Sequence, residues 1–284
     1  MMKTLGYYNG QCGEINDISV PMNDRVHWFG DGVYDATCAR NYKIMALDEH
    51  VDRFFNSARL LDINLGFDKQ YLKDLLNELI VKLDDDELFV YWQATRGGYD
   101  LRNHAYDRKH KANLWITFSP EKLVPIGKEL KLTSTEDTRF LHCNIKTLNL
   151  LPSVMASRLA ADKGCDECVF HRGDIVTECA HSNIHILQGG EFITHPADEY
   201  ILPGIARAHL LKACHALGIA VQERSFTMAE LAAADEIIVS SSGCLCNRAV
   251  ELDGRSIGGR DAALLQKLQD FVYGEWLEQT AADK

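Results

Sequence analysis

Short segments with strand periodicity are mixed irregularly with segments of helical periodicity, and this mixture limits the fold more than any other feature. Stretches rich in aromatic and β-branched residues recur at Leu88–Thr95 and 113–119, and Asn9-Gly10 predicts a tight hairpin turn. Apolar residues follow at helical spacing after Asp48, a candidate N-cap, and again through 72–80. Because strands and helices do not alternate strictly, the pattern favours an α+β fold over a doubly wound parallel sheet.

A chain of 284 residues is longer than most single domains, so two domains are expected. Pro125 and Gly127 interrupt two strand patterns and mark the best candidate boundary. The sequence therefore predicts an N-terminal α+β domain, residues 1–123, and a C-terminal α+β domain, residues 124–284, which contains Lys146.

Charge and composition disfavour several classes of partner. Thirty Lys and Arg against forty-one Asp and Glu give a formal charge of -11, which repels nucleic acid and anionic membranes. The N-terminal residues lack the apolar core of a signal peptide and no apolar stretch is long enough to span a bilayer, so we expect a cytoplasmic protein. The nine cysteines are expected to be reduced, and because Cys165-x-x-Cys168 is a lone pair, no metal site is expected.

Lys146 stands among apolar residues in Asn144-Ile145-Lys146-Thr147-Leu148-Asn149, shortly before the predicted helix Ser153–Lys163. A desolvated lysine loses proton affinity, which suits an amine that forms an imine or accepts a proton. A surface lysine whose stem covers apolar neighbours is the competing interpretation.

Two further stretches place polar groups where strands end or helices begin. Glu178 follows a strand pattern, where a carboxylate can hold a cationic ring nitrogen, although an exposed turn residue is the more common outcome. Pro203 and Gly204 precede a helix whose first N–H groups can bind an anion, and Ser240-Ser241-Ser242-Gly243 can add hydroxyls. Each signal is weak alone, since capping glycines and serines are common.

Taken in order along the chain, these segments resemble the class IV, or fold-type IV, pyridoxal-phosphate aminotransferases. The resemblance covers nearly the whole sequence. Its motifs are Asp24-Arg25, Phe29-Gly30-Asp31-Gly32-Val33-Tyr34, Glu49-His50-Val51-Asp52-Arg53, Lys146-Thr147-Leu148-Asn149, Thr177-Glu178, Leu202-Pro203-Gly204-Ile205-Ala206-Arg207 and the Ser240-Ser241-Ser242-Gly243 turn.

The resemblance implies two α+β domains with pyridoxal 5'-phosphate (PLP) at their interface, in a homodimer. It implies that Lys146 forms the Schiff base and moves the substrate proton, and that Glu178 pairs with the pyridine nitrogen. The cofactor phosphate would be bound by Arg53, Gly204, the N–H groups of Ile205 and Ala206, and the hydroxyls of Ser241 and Ser242.

Within the family, Arg102-Asn103-His104 resembles the carboxylate-binding motif of D-amino acid aminotransferases, in which Tyr34 would take part and the loop reaches over from the neighbouring subunit. This implies transamination between a D-amino acid, such as D-alanine or D-glutamate, and a 2-oxo acid. His181, Ala206 and Asn247-Arg248 depart from that branch. Three alternatives therefore stay open: 4-amino-4-deoxychorismate lyase, a branched-chain L-amino acid or other amine aminotransferase, and a non-enzymatic cofactor-binding protein.

Overall fold

The computed structural model describes residues 2–98 and 102–282, and it forms two compact units. The first comprises Met1–Leu123, Ile145–Asn149 and Leu277–Lys284. The second comprises Val124–Asn144 and Leu150–Trp276. Lys146 therefore belongs to the first unit, which corrects the expectation that it lies in the C-terminal domain.

Strands and helices mix along the whole chain, as the sequence predicts for an α+β fold. The strands are β1 (Leu5–Tyr8), β2 (Gln11–Gly13), β3 (Gly32–Arg40), β4 (Lys43–Ile44), β5 (Leu88–Thr95), β6 (Asn113–Pro120), β7 (Leu130–Glu136), β8 (Glu167–Arg172), β9 (Ile175–Cys179), β10 (Asn183–Gln188), β11 (Glu191–Thr194), β12 (Val221–Glu223), β13 (Glu236–Ser240), β14 (Asn247–Leu252) and β15 (Arg255–Ser256). The α-helices are α1 (Val26–Phe29), α2 (Leu47–Leu60), α3 (Lys69–Ile80), α4 (Leu151–Asp162), α5 (Ile205–Leu217), α6 (Met228–Ala233) and α7 (Ala262–Gln279).

A six-stranded antiparallel sheet, in the order β2-β1-β6-β5-β3-β4, forms the framework of the first unit. Strand β3 pairs with β5 from Gly32↔Thr95 to Ala39↔Leu88, and this register fixes the position of Tyr34 on the sheet. The predicted turn at Asn9-Gly10 is confirmed, because both residues have positive φ, 46° and 95°, as a two-residue hairpin loop requires.

Helices α2 and α3 bury their apolar residues in the core of the first unit, as their periodicity predicts. The capping prediction for α2 was wrong, because the helix starts at Leu47 and its N-cap is Ala46, in a left-handed conformation. Asp48 lies instead in the first turn, where the helix dipole favours a carboxylate, and it accepts a 2.8 Å hydrogen bond from Lys73 Nζ.

A nine-stranded mixed sheet forms the framework of the second unit. Its order is β12-β11-β10-β13-β14-β7-β8-β9, with β15 beside β14. The pairs β14–β7, β7–β8 and β11–β12 are parallel, and the other pairs are antiparallel. Apolar side chains of β7–β11, β13 and β14 build the core of this unit.

Several boundaries in the second unit differ from the predicted ones. Helix α4 begins at Leu151 and takes Pro152 into its first turn, whereas the sequence pattern predicts a start at Ser153. Strand β9 extends to Cys179, which pairs with Val169 of β8, so Glu178 lies inside the strand and not in a turn after it. Main-chain pairing with β8 therefore overrides the polar side-chain pattern.

Three further findings concern membrane-spanning helices, metal ligands and cysteines. Among residues 2–98 and 102–282, no helix combines the length and apolar character needed to cross a bilayer. In the same residues, no group of three His, Cys, Asp or Glu side chains is arranged to hold a metal ion. None of the nine cysteines, all of them in the described residues, forms a disulfide, and these include Cys165 and Cys168.

Candidate active site

The segment that contains Lys146 is held by hydrogen bonds to the main chain of β3 and to a side chain of α2. Tyr34 N donates to Lys146 O at 3.0 Å, and Leu148 N donates to Gly32 O at 3.1 Å. Lys146 N donates to Ser57 Oγ of α2 at 3.2 Å, across a sequence separation of 89. These long-range bonds fix the backbone of the lysine.

The side chain of Lys146 lies against Tyr34, so the structure brings together two of the predicted site residues. Lys146 Nζ is 4.3 Å from the centroid of the Tyr34 ring, and Lys146 is half-buried. The Tyr34 ring stacks on Tyr91, with 5.5 Å between centroids. An ammonium over an aromatic face is stabilised by the ring quadrupole, which places the amine reproducibly.

Arg53, the predicted phosphate-binding residue, is oriented by a buried carboxylate. Arg53 Nε and Nη2 donate to Asp35 Oδ2 and Oδ1 at 2.9 and 2.7 Å, a bidentate arrangement. His50 Nδ1 lies 2.7 Å from the same Asp35 Oδ1. The side chain of Asp35 is fully buried, so its three contacts with Arg53 and His50 set the direction of the guanidinium.

The charges in this group follow from burial and proximity. Burial alone raises the pKa of Asp35, but the adjacent Arg53 and His50 hold that pKa well below its usual range. Burial also lowers the pKa of His50, against the opposing effect of Asp35. Asp35 is therefore ionised, and the neutral imidazole of His50 donates its Nδ1 proton to it.

Arg102 and His104, predicted to bind the substrate carboxylate, surround the ring of Phe29. The guanidinium carbon of Arg102 is 4.7 Å from the ring centroid, and the His104 ring centroid is 4.9 Å from it. Arg25 donates to the main-chain oxygens of Asn103 and His104, the latter at 3.1 Å. Both side chains are exposed, and residues 99–101, which precede Arg102 in the sequence, lie outside the described residues.

Glu178, the predicted partner of the ring nitrogen, is buried in β9 and held on both carboxylate oxygens. Arg139 Nη1 donates to Oε1, while Asn183 Nδ2 and Leu202 N donate to Oε2 at 2.9 and 3.1 Å. Glu178 is 5% exposed, which is inconsistent with an ordinary turn residue. The carboxylate is thus fixed before any ligand binds.

Gly204 permits a close approach that links Glu178 to the start of α5. A Cβ atom on Gly204 would overlap with Asn183 Oδ1. Asn183 also donates to Leu202 O at 3.0 Å. Only glycine therefore fits at position 204 while Asn183 keeps its bond to Glu178.

The remaining predicted phosphate ligands lie at the start of α5 and after β13. Gly204 is the N-cap of α5 and provides no side-chain cap, so the first N–H groups, including those of Ile205 and Ala206, suit an anion. Ser241 and Ser242 follow β13 and are half-buried. Ser241 Oγ donates to Cys244 Sγ at 3.2 Å and accepts from Gly243 N at 3.3 Å.

Sequence reasoning missed several residues that orient the predicted ones. Asp35 and His50 were not assigned a role, although His50 stands in a quoted motif and Asp35 directly follows Tyr34. Arg139 and Asn183 were also missed. Their only sequence signal is a charged or amide side chain near Lys146 or Glu178, which is too common to identify a site.

The donor set matches the chemistry of PLP. A covalent anchor requires an amine, the pyridine nitrogen requires an acceptor, and the phosphate requires cationic and N–H donors. The first unit contains the amine of Lys146 and the guanidinium of Arg53. The second unit contains the carboxylate of Glu178, which is an acceptor, and the N–H donors of the uncapped start of α5.

Comparison with known proteins decides the family. Residues 32–251 match the model of the class IV amino-transferases. The chain belongs to the class IV aminotransferase family. It is 34% identical to the D-alanine aminotransferase of Listeria monocytogenes over 280 residues, 96% of each chain. It is 33% identical to that of Staphylococcus haemolyticus over 271 residues, 94% of this chain and 96% of the relative.

Solved structures confirm the fold-type IV architecture of this class IV aminotransferase. The branched-chain amino acid aminotransferase from Escherichia coli superposes with a TM-score of 0.87. The superposition covers 96% of this chain and 94% of that one at 19% sequence identity, so it establishes the fold alone. Class IV aminotransferases use PLP, and the predicted family and cofactor are therefore confirmed.

Proposed function

We propose that this class IV aminotransferase transfers the amino group of a D-amino acid, such as D-alanine or D-glutamate, to a 2-oxo acid. The observation that carries the proposal is the position of the Lys146 amine, 4.3 Å from the centroid of the Tyr34 ring on a segment bonded to β3. The relatives named D-alanine aminotransferase, which match almost the full chain, favour D-amino acids.

Lys146 and Glu178 have the central roles in this proposal. When bound, PLP supplies a ring that withdraws electrons from the substrate Cα. Lys146 would hold the cofactor through Nζ until the amino group of the substrate displaces it. The freed amine would then accept the Cα proton and deliver it to C4′ of the cofactor. Glu178 would accept a hydrogen bond from the protonated ring nitrogen, and this bond would favour electron withdrawal by the ring.

The cofactor phosphate is assigned to the cationic and N–H donors. Arg53, oriented by Asp35, supplies a guanidinium. The uncapped start of α5, at Gly204, Ile205 and Ala206, supplies main-chain donors. Ser241 and Ser242 supply hydroxyl groups. Several fixed donors would together hold the phosphate in one position.

The substrate α-carboxylate is assigned to Arg102 and His104, with Tyr34 as a further donor. A guanidinium binds a carboxylate through two parallel hydrogen bonds, and a second donor fixes the carboxylate orientation. Since Lys146 has a fixed position, the anchored carboxylate decides which enantiomer directs its Cα–H toward the amine. The loop would therefore select D-substrates.

We further propose that the enzyme is a cytoplasmic homodimer in which the loop of Arg102 and His104 serves the neighbouring subunit. Both side chains are exposed in a single chain, and this supports a function outside their own protomer. The nine cysteines, none of them in a disulfide, support a reducing compartment.

Absorbance spectra and a substrate panel test the proposed function. The purified enzyme should show a cofactor band that borohydride abolishes, and Lys146→Ala should lose this band and transamination together. Lys69→Ala removes an exposed lysine paired with Asp52 and should behave as wild type. The panel pairs D- and L-alanine and D- and L-glutamate with 2-oxoglutarate or pyruvate, and adds aminodeoxychorismate and L-leucine. A preference for L-leucine or for aminodeoxychorismate would replace the D-specific proposal.

A further inference from the structure

Arg139 makes the charged contact with Glu178, and its own position is fixed by Asp137. Arg139 Nη1 donates to Glu178 Oε1. Arg139 Nε and Nη2 donate to Asp137 Oδ1 and Oδ2, each at 2.9 Å. The side chains of Arg139 and Asp137 are 11% and 0% exposed. One guanidinium thus bridges two buried carboxylates.

Neighbouring groups hold the Arg139 guanidinium in this bridging position. Its carbon lies 4.6 Å from the centroid of the Phe170 ring, and Nη2 donates to Tyr200 O at 3.2 Å. Arg172 Nη2 donates to Arg139 O at 2.7 Å, which fixes the main chain as well. Reorientation of the guanidinium would break several of these contacts at once.

The same contacts keep Arg139 charged. Burial by itself lowers the pKa of Arg139, but the hydrogen bonds to Asp137 and the charges of Glu178 and Asp137 raise that pKa above its ordinary value. A buried cation next to Glu178 stabilises the ionised form of the carboxylate.

We propose that Arg139 is a positioning residue for the transamination: it keeps Glu178 an oriented, ionised carboxylate, so that the proton shared with the PLP ring nitrogen stays on the nitrogen. This inference rests on the role of Glu178 in the proposed function. It makes Arg139 the residue that keeps the ring nitrogen protonated, the form in which the ring withdraws electrons.

The position of the shared proton follows from the charges on either side of it. With the proton on the ring nitrogen, Glu178 is negative and directly contacts the Arg139 cation. With the proton on Glu178, this attraction is lost while Arg139 remains charged. Since Coulombic attraction is strong in a buried site, Arg139 favours the first arrangement. Without Arg139, the buried ion pair between Glu178 and the ring is less stable, and the arrangement with the proton on Glu178 becomes more populated.

The test is nitrogen NMR of the holoenzyme loaded with PLP labelled with ¹⁵N in the ring. In wild type the ring nitrogen should have the chemical shift of a protonated pyridine. In Arg139→Gln it should move toward the value of neutral pyridine. We also expect kcat with D-alanine to fall by about a hundredfold, the order of loss when a fixed electrostatic partner is removed, with a smaller change in KM.

Three further variants separate this role from a general structural one. Arg260→Gln removes a cation of the same unit that pairs with Asp235 at 3.0 Å and should leave the ring-nitrogen shift unchanged. Arg139→Lys keeps the charge and should restore part of the wild-type shift, and it also serves if Arg139→Gln fails to fold. In a Glu178→Gln background, Arg139→Gln should cause no further change of the shift.

Two results would overturn the inference: a neutral ring nitrogen in wild type, or a protonated ring nitrogen in folded Arg139→Gln. Failure of the proposed function is a different result. In that case wild type would give no borohydride-sensitive cofactor band or would not transaminate D-amino acids, whatever the shift in the Arg139 variants.

Discussion

At the scale of single residues, Arg102 and His104 depend on one aromatic ring. The guanidinium carbon of Arg102 lies 4.7 Å from the centroid of the Phe29 ring, and the centroid of the His104 ring lies 4.9 Å from it. Arg25 donates hydrogen bonds to the main-chain oxygens of Asn103 and His104. The loop is thus positioned by its own unit although its side chains are exposed. This arrangement suits a pair of side chains that binds a carboxylate, because the loop is held in place while both side chains stay accessible to a ligand.

Arg102→Leu should raise KM for D-alanine and lower kcat/KM. The loss of transition-state stabilisation should be about 1.5–3 kcal/mol, the free energy of a lost charged hydrogen bond. L-alanine should be affected less, because it does not use the same carboxylate position productively. His104→Ala should have a smaller effect in the same direction. Steady-state kinetics with both alanine enantiomers and D-glutamate measure these differences.

Arg108→Leu is the matched control for this loop. Arg108 pairs with Asp62 at 2.9 Å, and its side chain is 76% exposed, so its loss should leave kcat/KM for D-alanine unchanged. Unaltered D-alanine kinetics in Arg102→Leu would remove the basis for assigning the carboxylate to this loop.

At the scale of secondary-structure elements, strand β9 and the start of helix α5 are joined through Asn183. Its amide donates both to Glu178 Oε2 and to Leu202 O, so the predicted partner of the ring nitrogen and the predicted phosphate site share one support. Gly204 leaves the space that Asn183 occupies. The geometry of the two sites is therefore coupled.

Gly204→Ala should displace Asn183, because the added Cβ would overlap with its Oδ1. We expect a loss of about 1–3 kcal/mol in the free energy of unfolding, the usual cost of overpacking, and a weaker affinity for PLP. Urea denaturation of the cofactor-free protein and a PLP titration measure the two effects separately.

Gly274→Ala provides the comparison, since this glycine lies inside α7 and an added Cβ would meet no atom of the described residues within 4 Å, the backbone of its own helix aside. Here alanine should stabilise the helix by about 0.5–1 kcal/mol. If Gly204→Ala has the stability and PLP affinity of wild type, the close contact with Asn183 is not needed.

At the scale of the whole molecule, exposed apolar residues at the start of α4 support the proposed homodimer. Leu151, Val154 and Met155 are 70%, 60% and 65% exposed, and their spacing places them on one face of the helix. Such a face is stabilised by contact with another surface, and a second copy of the chain is the partner in the proposed dimer.

Val154→Glu should therefore weaken the dimer, because burial of an unpaired carboxylate costs several kcal/mol. Light scattering should then give a mass near 32.0 kDa, that of one chain, and activity with D-alanine should fall with the dimer fraction. Val81→Glu changes a valine that is 57% exposed in the other unit and should remain dimeric. A fully dimeric Val154→Glu would place the subunit interface elsewhere.

The sequence by itself determined the α+β class, the helices α2 and α3, the family and its cofactor. Local periodicity is sufficient for the helices, since each apolar face repeats within one segment. The ordered set of motifs from Asp24 to Gly243 is sufficient for the family, because the motifs are jointly specific. None of these conclusions requires knowledge of which distant residues meet.

Only the tertiary structure decided the surroundings of the site residues. It placed Lys146 in the first unit, because residues 145–149 bond to β3 and α2, and it joined Arg53 to Asp35 and Arg139 to Glu178. Arg139 and Glu178 are 39 positions apart, and no local period relates them. Their contact arises because strand pairing buries both side chains, and a buried charge is stable only beside an opposite charge. Burial of this kind exists only in the folded chain.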